Sequence, residues 1–269
     1  MEIKFPGRKK IDNYVEKTDP EAIQNALHEA QEIMYDAWDA DDAINAIQLI
    51  KKALRKSPLC ADAYSYYSYI SGDSPLSKLA YLENAVYVGE KALEAPVSDF
   101  KGDCWSIIET RPYMRARACL ASCLWDIGYY DKAISNYQEM LELNPNDNQG
   151  VRYILSSHYL DLEMINDLKV LLASYPDDSS PFFLYTTALL AFRDKSSSAD
   201  AAAREAISGN HYIPVFLKGR TKLYENNQGY ITAGGCDEAI EYVNNNLLAW
   251  IRTPGALDWL ADINKSINK

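Results

Sequence analysis

Arg115, Arg117 and Arg152 are the side chains in this sequence best suited to hold a ligand, and the ligand they suit is a carboxylate. A guanidinium presents a planar fork of N–H donors that matches the two oxygens of a carboxyl group. On helical spacing, Arg115, Ala118, Ser122 and Trp125 form one stripe; Gln149, Arg152, Ser156 and Tyr159 form another on the next helix of the same kind. Two guanidiniums with an amide, beside aromatic faces, suit a peptide carboxylate or an acidic side chain. The expected binding residues are therefore Arg115, Ser122, Trp125, Gln149, Arg152 and Tyr159. An equally weighted alternative pairs Arg115, Arg117 and Arg152 with carboxylates of the chain itself, such as Glu109, Glu142 or Asp161, because arginine is costly to bury unpaired and cheap to pair internally.

Other reactive groups are sparse. The five cysteines (60, 104, 119, 123 and 236) are odd in number and show no C-x-x-C spacing, which implies a reduced compartment. Cys119 and Cys123 lie one helical turn apart and could aim two thiolates at a metal, but only three histidines occur and none is near in sequence. Small buried packing residues are the better reading of the pair. Asn144-Pro145-Asn146-Asp147-Asn148-Gln149-Gly150 is rich in oxygen but lacks the carboxylates and closing Glu of a calcium loop, and reads as a helix stop, a turn and a new cap. His158 reads as a packed or capping residue rather than a catalyst. No catalytic residue, cofactor or metal is expected, and the chain is read as not an enzyme.

The formal charge of −11 weighs against nucleic acid and anionic membrane as partners. The one basic run, Lys4 with Arg8, Lys9 and Lys10, reads as a solvated terminus. Neither a signal peptide nor a transmembrane span is visible, since the first ten residues are charged and the longest apolar run, Phe182 to Phe192, is short and interrupted by Tyr and Thr. A soluble, cytoplasmic protein is the expectation.

The elements that must position these residues are helices. From Pro112, apolar residues at Met114, Leu120, Leu124 and Ile127 form one helical stripe that ends at Gly128; a second helix carries Ala133, Ile134, Tyr137, Leu141 and Leu143 until Asn144 and Pro145 stop it. Two amphipathic helices joined by so short a turn lie antiparallel, and each still has an apolar face that only a neighbouring pair can cover. With 48% apolar residues the chain can cover such faces, and no stretch alternates with period two. The expected organisation is an irregular arm over 1–18, helix pairs over 19–96, and an inserted loop or short helix packed by Trp105 over 97–110. Further pairs follow over 111–208, then a Gly-rich crossing segment over 209–235 with at most one short helix near Pro214, and a closing helical pair over 236–269. Tyr64, Tyr66, Tyr67 and Tyr69 sit so close together that at least one ring must be exposed on any helix.

Leu120, Ala121, Gly128, Tyr130, Ala133, Tyr137 and Pro145 match the signature of the tetratricopeptide repeat, and this unit resembles that family. It departs at Arg117, where the family usually has Trp, and at Met140, where a small residue is usual. A more specific likeness covers roughly residues 105–260. Thr110-Arg111-Pro112-Tyr113-Met114-Arg115-Ala116-Arg117, Leu143 to Gly150, Tyr185 to Leu190, Asn210 to Leu217, and Asp237 through Trp250 to Leu257 are similar to strings shared by the suppressor-of-tumorigenicity-seven family and bacterial tetratricopeptide proteins. The resemblance implies an all-α fold, a right-handed α-α superhelix of helix hairpins, and a noncatalytic scaffold that binds a protein or peptide segment in its concave groove. The eukaryotic members carry membrane-spanning segments at their start and this sequence shows none, so membrane location is not carried over. The alternative is an enzyme or small-ligand receptor with a pocket under segment 209–235, using His211 and Tyr230. Oligomeric state stays open, since an uncapped array end can pair with its twin.

Overall fold

The structure, a computed structural model, describes residues 3–219 and 231–267, and every regular element among them is helical. Its contacts divide the chain into two compact units, Met1–Val151 and Arg152–Lys269.

The first unit contains α1 (Arg8–Lys17), α2 (Pro20–Trp38), α3 (Ala43–Lys56), α4 (Ala61–Ile70), α5 (Pro75–Lys91), α6 (Arg111–Asp126) and α7 (Tyr130–Leu143). Three of these helices begin at a side-chain cap. Asp19 accepts from the Ala22 amide ahead of Pro20, Asp42 from Asn45 at 2.8 Å, and Ser74 from Ser77 ahead of Pro75. From α2 to α7 each helix packs on its successor: α2 on α3, α3 on α4, α4 on α5, α5 on α6 and α6 on α7. The odd members of the stack, α2, α4 and α6, also touch one another in sequence order. Ala30, Met34, Ala37, Ile50 and Ala53 form one core and Leu59, Ala61, Tyr64, Ala85, Val88 and Ala116 another, all nearly inaccessible to water. Gly128, at φ +84°, ends α6, and the Tyr129 amide donates back to Leu124 at 2.8 Å.

Two expectations are corrected by the structure. Residues 1–18 are not an irregular arm. Residues 3–7 are anchored by Phe5, which stacks on Tyr64 with ring centroids 4.4 Å apart, and α1 follows, burying Ile11. Pro6-Gly7 leads into this helix: Gly7 is the cap, and its carbonyl accepts from Lys10 and Ile11. Cys119 is exposed and Cys123 half-buried, so neither is the small core residue expected. All five cysteines are free thiols. The tyrosine cluster behaves as the spacing requires, with Tyr64 and Tyr67 buried and Tyr69 standing out in solvent.

Residues 97–110 form two short 3-10 turns, Val97–Phe100 and Ile108–Thr110, held down at one point. The Gly102 and Cys104 amides both donate to the Leu143 carbonyl, at 3.0 and 3.2 Å, and the Thr110 hydroxyl donates to the carbonyls of Cys104 and Ile107. Arg111 lies over the Trp105 ring and donates to the Trp105 carbonyl at 3.0 Å. The insert is thus fastened to the start of α6 and the end of α7.

Gly89 sets the distance between α5 and α6. A Cβ at this position would lie 3.1 Å from the Tyr113 Cα and 3.3 Å from the Ala61 Cβ. Alanine in a helix interior is favoured over glycine by roughly 1 kcal/mol, whereas overpacking costs about 1–3 kcal/mol. Backbone cannot yield as a flexible side-chain tip does, so the second effect wins. Gly89→Ala is expected to destabilise the first unit by about 1 kcal/mol and Gly89→Val by more, read as a lower urea midpoint; an alanine variant more stable than wild type would show that the helices are not in close contact.

The second unit contains α8 (Val151–Asp161, starting at the last residue of the first unit), α9 (Ile165–Ser174), α10 (Pro181–Arg193), α11 (Ala199–Gly209), α12 (Ile213–Leu217), α13 (Cys236–Ile251) and α14 (Ala256–Ile267). Here α10 pairs with α11, α13 packs on α10 and α12, and α14 on α11, α12 and α13. Buried Asn210 ties the two ends of the crossing segment together, donating to the Gly235 carbonyl at 2.8 Å and to Glu238 at 3.0 Å while accepting from the Tyr212 amide. The short helix expected near Pro214 is α12. Residues 220–230, with Tyr230, lie outside the described residues. Among the described residues no helix is long and apolar enough to cross a membrane.

Candidate functional site

The six residues expected to bind fall in both units: Arg115, Ser122, Trp125 and Gln149 in the first, Arg152 and Tyr159 in the second. Arg115 is engaged. Its Nε and Nη2 meet the two carboxylate oxygens of Asp62 on α4 at 2.9 and 2.5 Å, and its guanidinium lies over the Trp38 ring. Within the second unit, Arg152 meets Asp178 at 2.6 Å and lies between the rings of Tyr153 and Tyr175. Arg117 is buried and donates to Tyr113, Asn136 and Glu139. Internal pairing, the alternative reading of these arginines, is what the structure contains, with other carboxylates than Glu109, Glu142 and Asp161.

The remaining expected residues are placed unevenly. Ser122 is exposed on α6, and Trp125 is half-buried against Tyr130, ring centroids 4.6 Å apart. Gln149 is half-buried, and its side-chain oxygen is buried without a hydrogen-bond partner. Tyr159, expected to face a groove, is 3% exposed, and Ser156 is buried with its hydroxyl turned back onto the Tyr153 carbonyl. Both belong to packing. In the 143–150 stretch, Asp147 stands at φ +49° and caps the Val151 amide at 2.7 Å, so the stop-turn-cap reading describes what is there. Burial pushes the His158 imidazole down to about 4, which keeps it neutral near pH 7. His211 is exposed and its ring lies tilted against Tyr212, centroids 4.1 Å apart.

A recess in the first unit lies elsewhere, along α2. It is a cleft of about 570 Å³, within the usual range for ligand sites. One wall is a stripe of α2 containing Gln24, His28, Gln31 and Tyr35, spaced so that all four share a helical face. The opposite wall is the insert, with Phe100, Ile107, Ile108, Glu109 and Thr110; the floor is Leu59, Cys60, Ala61 and Gly89. The floor is apolar and shut from water, while the rim is open: Ile108 is 64% exposed and Tyr35, His28, Glu32, Glu94 and Glu109 are exposed as well. Gln24 donates across the cleft's end to the Ala92 carbonyl at 3.1 Å, and the amide nitrogen of Gln31 is buried without a partner. Beyond the rim, the Tyr35 and Trp38 rings pack at a tilt with centroids 5.5 Å apart and continue the apolar surface along α2 toward the Arg115–Asp62 pair.

The cleft offers shape, apolar area and amides, with His28 and the carboxylates of Glu32, Glu94 and Glu109 at its rim. Cys60 is the nucleophile nearest its floor, but burial, with the Asp62 carboxylate adding to it, pushes the thiol up to about 12, so the reactive thiolate is absent near pH 7.

Sequence reasoning missed this recess because its walls come from segments some seventy residues apart and the apolar stripe of α2 drew attention to the opposite face. The available signal was the lapse of helical period over 97–110 facing a polar stripe on α2. No protein-family model matches the chain, and no curated protein is recognisably similar to it.

Proposed function

We propose that the chain is a noncatalytic scaffold of tetratricopeptide type that holds an extended peptide or a partner's segment against the face of α2, α4 and α6. The observation that carries this reading is the cleft along α2, an open-rimmed recess with a buried apolar floor, prolonged by the exposed Tyr35 and Trp38. The exposed side-chain amide of Asn25 can bond a peptide backbone, and exposed aromatic rings supply contact area at low entropic cost. The hairpins of the first unit are read as turns of a right-handed superhelix whose first helices line the hollow, and the resemblance to soluble relatives of the suppressor-of-tumorigenicity-seven family supports a scaffold in the cytoplasm. The raised Cys60 thiol supports the absence of nucleophilic catalysis at this site.

Because Arg115 is held by Asp62, an acidic partner group would have to compete with a bidentate internal carboxylate. The test is selection from a displayed random-peptide library with wild type and with Asn25→Trp, which places a bulky ring at an exposed rim position without touching the core. Enrichment on wild type that is lost in the variant is expected. Equal enrichment on both would move the site away from the cleft, and no enrichment on either would overturn peptide binding.

A further inference from the structure

We infer that the cleft along α2 takes a peptide segment in which a lysine or arginine stands beside large apolar side chains. This rests on the peptide-binding reading above and adds the sign of the charge. Three carboxylates line the cleft from three different parts of the chain: Glu32 from α2, Glu94 from the residues after α5, and Glu109 from the second 3-10 turn. Among the described lining residues none is Lys or Arg. None of the three is in an ion pair among those found in the described residues, whereas the carboxylates beside the arginines, Asp62 and Asp178, are both consumed. Surface glutamates elsewhere on the unit do find lysines, as Glu29 does with Lys56 and Glu142 with Lys101.

The apolar requirement comes from the floor. Leu59, Ala61 and Ala92 at the base and Phe100, Ile107 and Ile108 on the insert wall can shelter an aliphatic or aromatic side chain, and this burial supplies most of the attraction. The carboxylates stand around it at the rim, where an ammonium or guanidinium beside the buried group would reach them while staying partly hydrated. Tyr35 offers the same cation a ring face. A chain suits the site better than a compact amine because apolar surface runs on past the rim through Tyr35 to Trp38.

The experiment measures fluorescence anisotropy of a short labelled peptide in which lysines alternate with leucines, against counterparts with glutamate or serine in place of lysine, all titrated with the full chain. The chain is acidic overall, so general attraction must be separated from the site. One variant carries Glu32→Lys, Glu94→Lys and Glu109→Lys; a control carries Glu16→Lys, Glu83→Lys and Glu205→Lys, three exposed positions that do not line the cleft. Both change the net charge equally. Wild type and control are expected to prefer the lysine peptide, and the cleft variant to bind it about tenfold more weakly and to shift its preference toward the glutamate peptide. Equal weakening in cleft variant and control would show a nonspecific field and overturn the inference. Binding of all three peptides alike, abolished by Asn25→Trp, would also overturn it while leaving peptide binding in the cleft intact. Loss of all binding would sink both readings.

Discussion

Arg115→Met is expected to destabilise the first unit by about 3–5 kcal/mol, toward the lower end of that range. Asp62 is 2% exposed, and the Arg115 guanidinium meets both of its carboxylate oxygens. Methionine fills a similar volume but leaves a buried carboxylate without its counter-charge. Asp62 stands in the first turn of α4, where the helix dipole offsets a part of that penalty. The reverse substitution should be milder. In Asp62→Asn the guanidinium keeps one acceptor and, being about one-third exposed, can turn to water. Replacing both, Arg115→Met with Asp62→Leu, removes the two charges together and should return stability to within about 1 kcal/mol of wild type, since paired charges often contribute little over well-packed apolar groups. Hydrogen exchange of α4 and α6 amides in the full chain reads all three variants. An Arg115→Met protein with undiminished protection would mean the pair does not hold those helices. The double variant also separates roles: if it folds and still selects peptides, Arg115 serves the architecture and not the ligand.

This pair shows where sequence reading stopped. The helix ends were legible because their signals are local: Asp19-Pro20 opens α2, Gly128 closes α6, and Asn144-Pro145 closes α7, each within a few residues of where the spacing places it. The helix α1 was obscured by the same local logic, because Pro6-Gly7 looks alike whether it ends a segment or begins one. Partners were not legible. Arg115 announces a need for a carboxylate, but Asp62 lies on another hairpin, and nearer carboxylates such as Glu109 competed for the assignment. Tyr159 and Trp125 sit at equivalent stripe positions, yet one is buried and the other half-exposed, because what covers a stripe is decided by the next element. The cleft required two distant segments to meet, the α2 stripe and the insert fixed by the Leu143 carbonyl, and no spacing rule reports such a meeting.

The second large effect is expected at Trp250, the largest wholly buried side chain in the described structure. Its indole donates to the Tyr242 hydroxyl at 2.9 Å, and the two rings belong to a chain of aromatic contacts within the second unit that runs from Tyr153 through Phe182 and Tyr242 to Tyr185. Trp250→Ala removes the ring from the centre of this group, and about 3–5 kcal/mol should be lost. Trp250→Phe separates volume from polarity. It keeps most of the apolar contact but deprives the buried Tyr242 hydroxyl of its donor, which costs about 1–3 kcal/mol. Tyr242→Phe leaves the indole N–H unpaired in the same way. If the bond matters as argued, the variant carrying both Trp250→Phe and Tyr242→Phe loses less than the sum of the two single losses, because neither polar group then remains to be satisfied. Protection of the α13 amides is the readout, since it follows this unit without assuming that the whole chain unfolds in one step. Strict additivity would mean that the indole and the hydroxyl do not act as a pair, and this aromatic group would then owe its cohesion to ring packing alone.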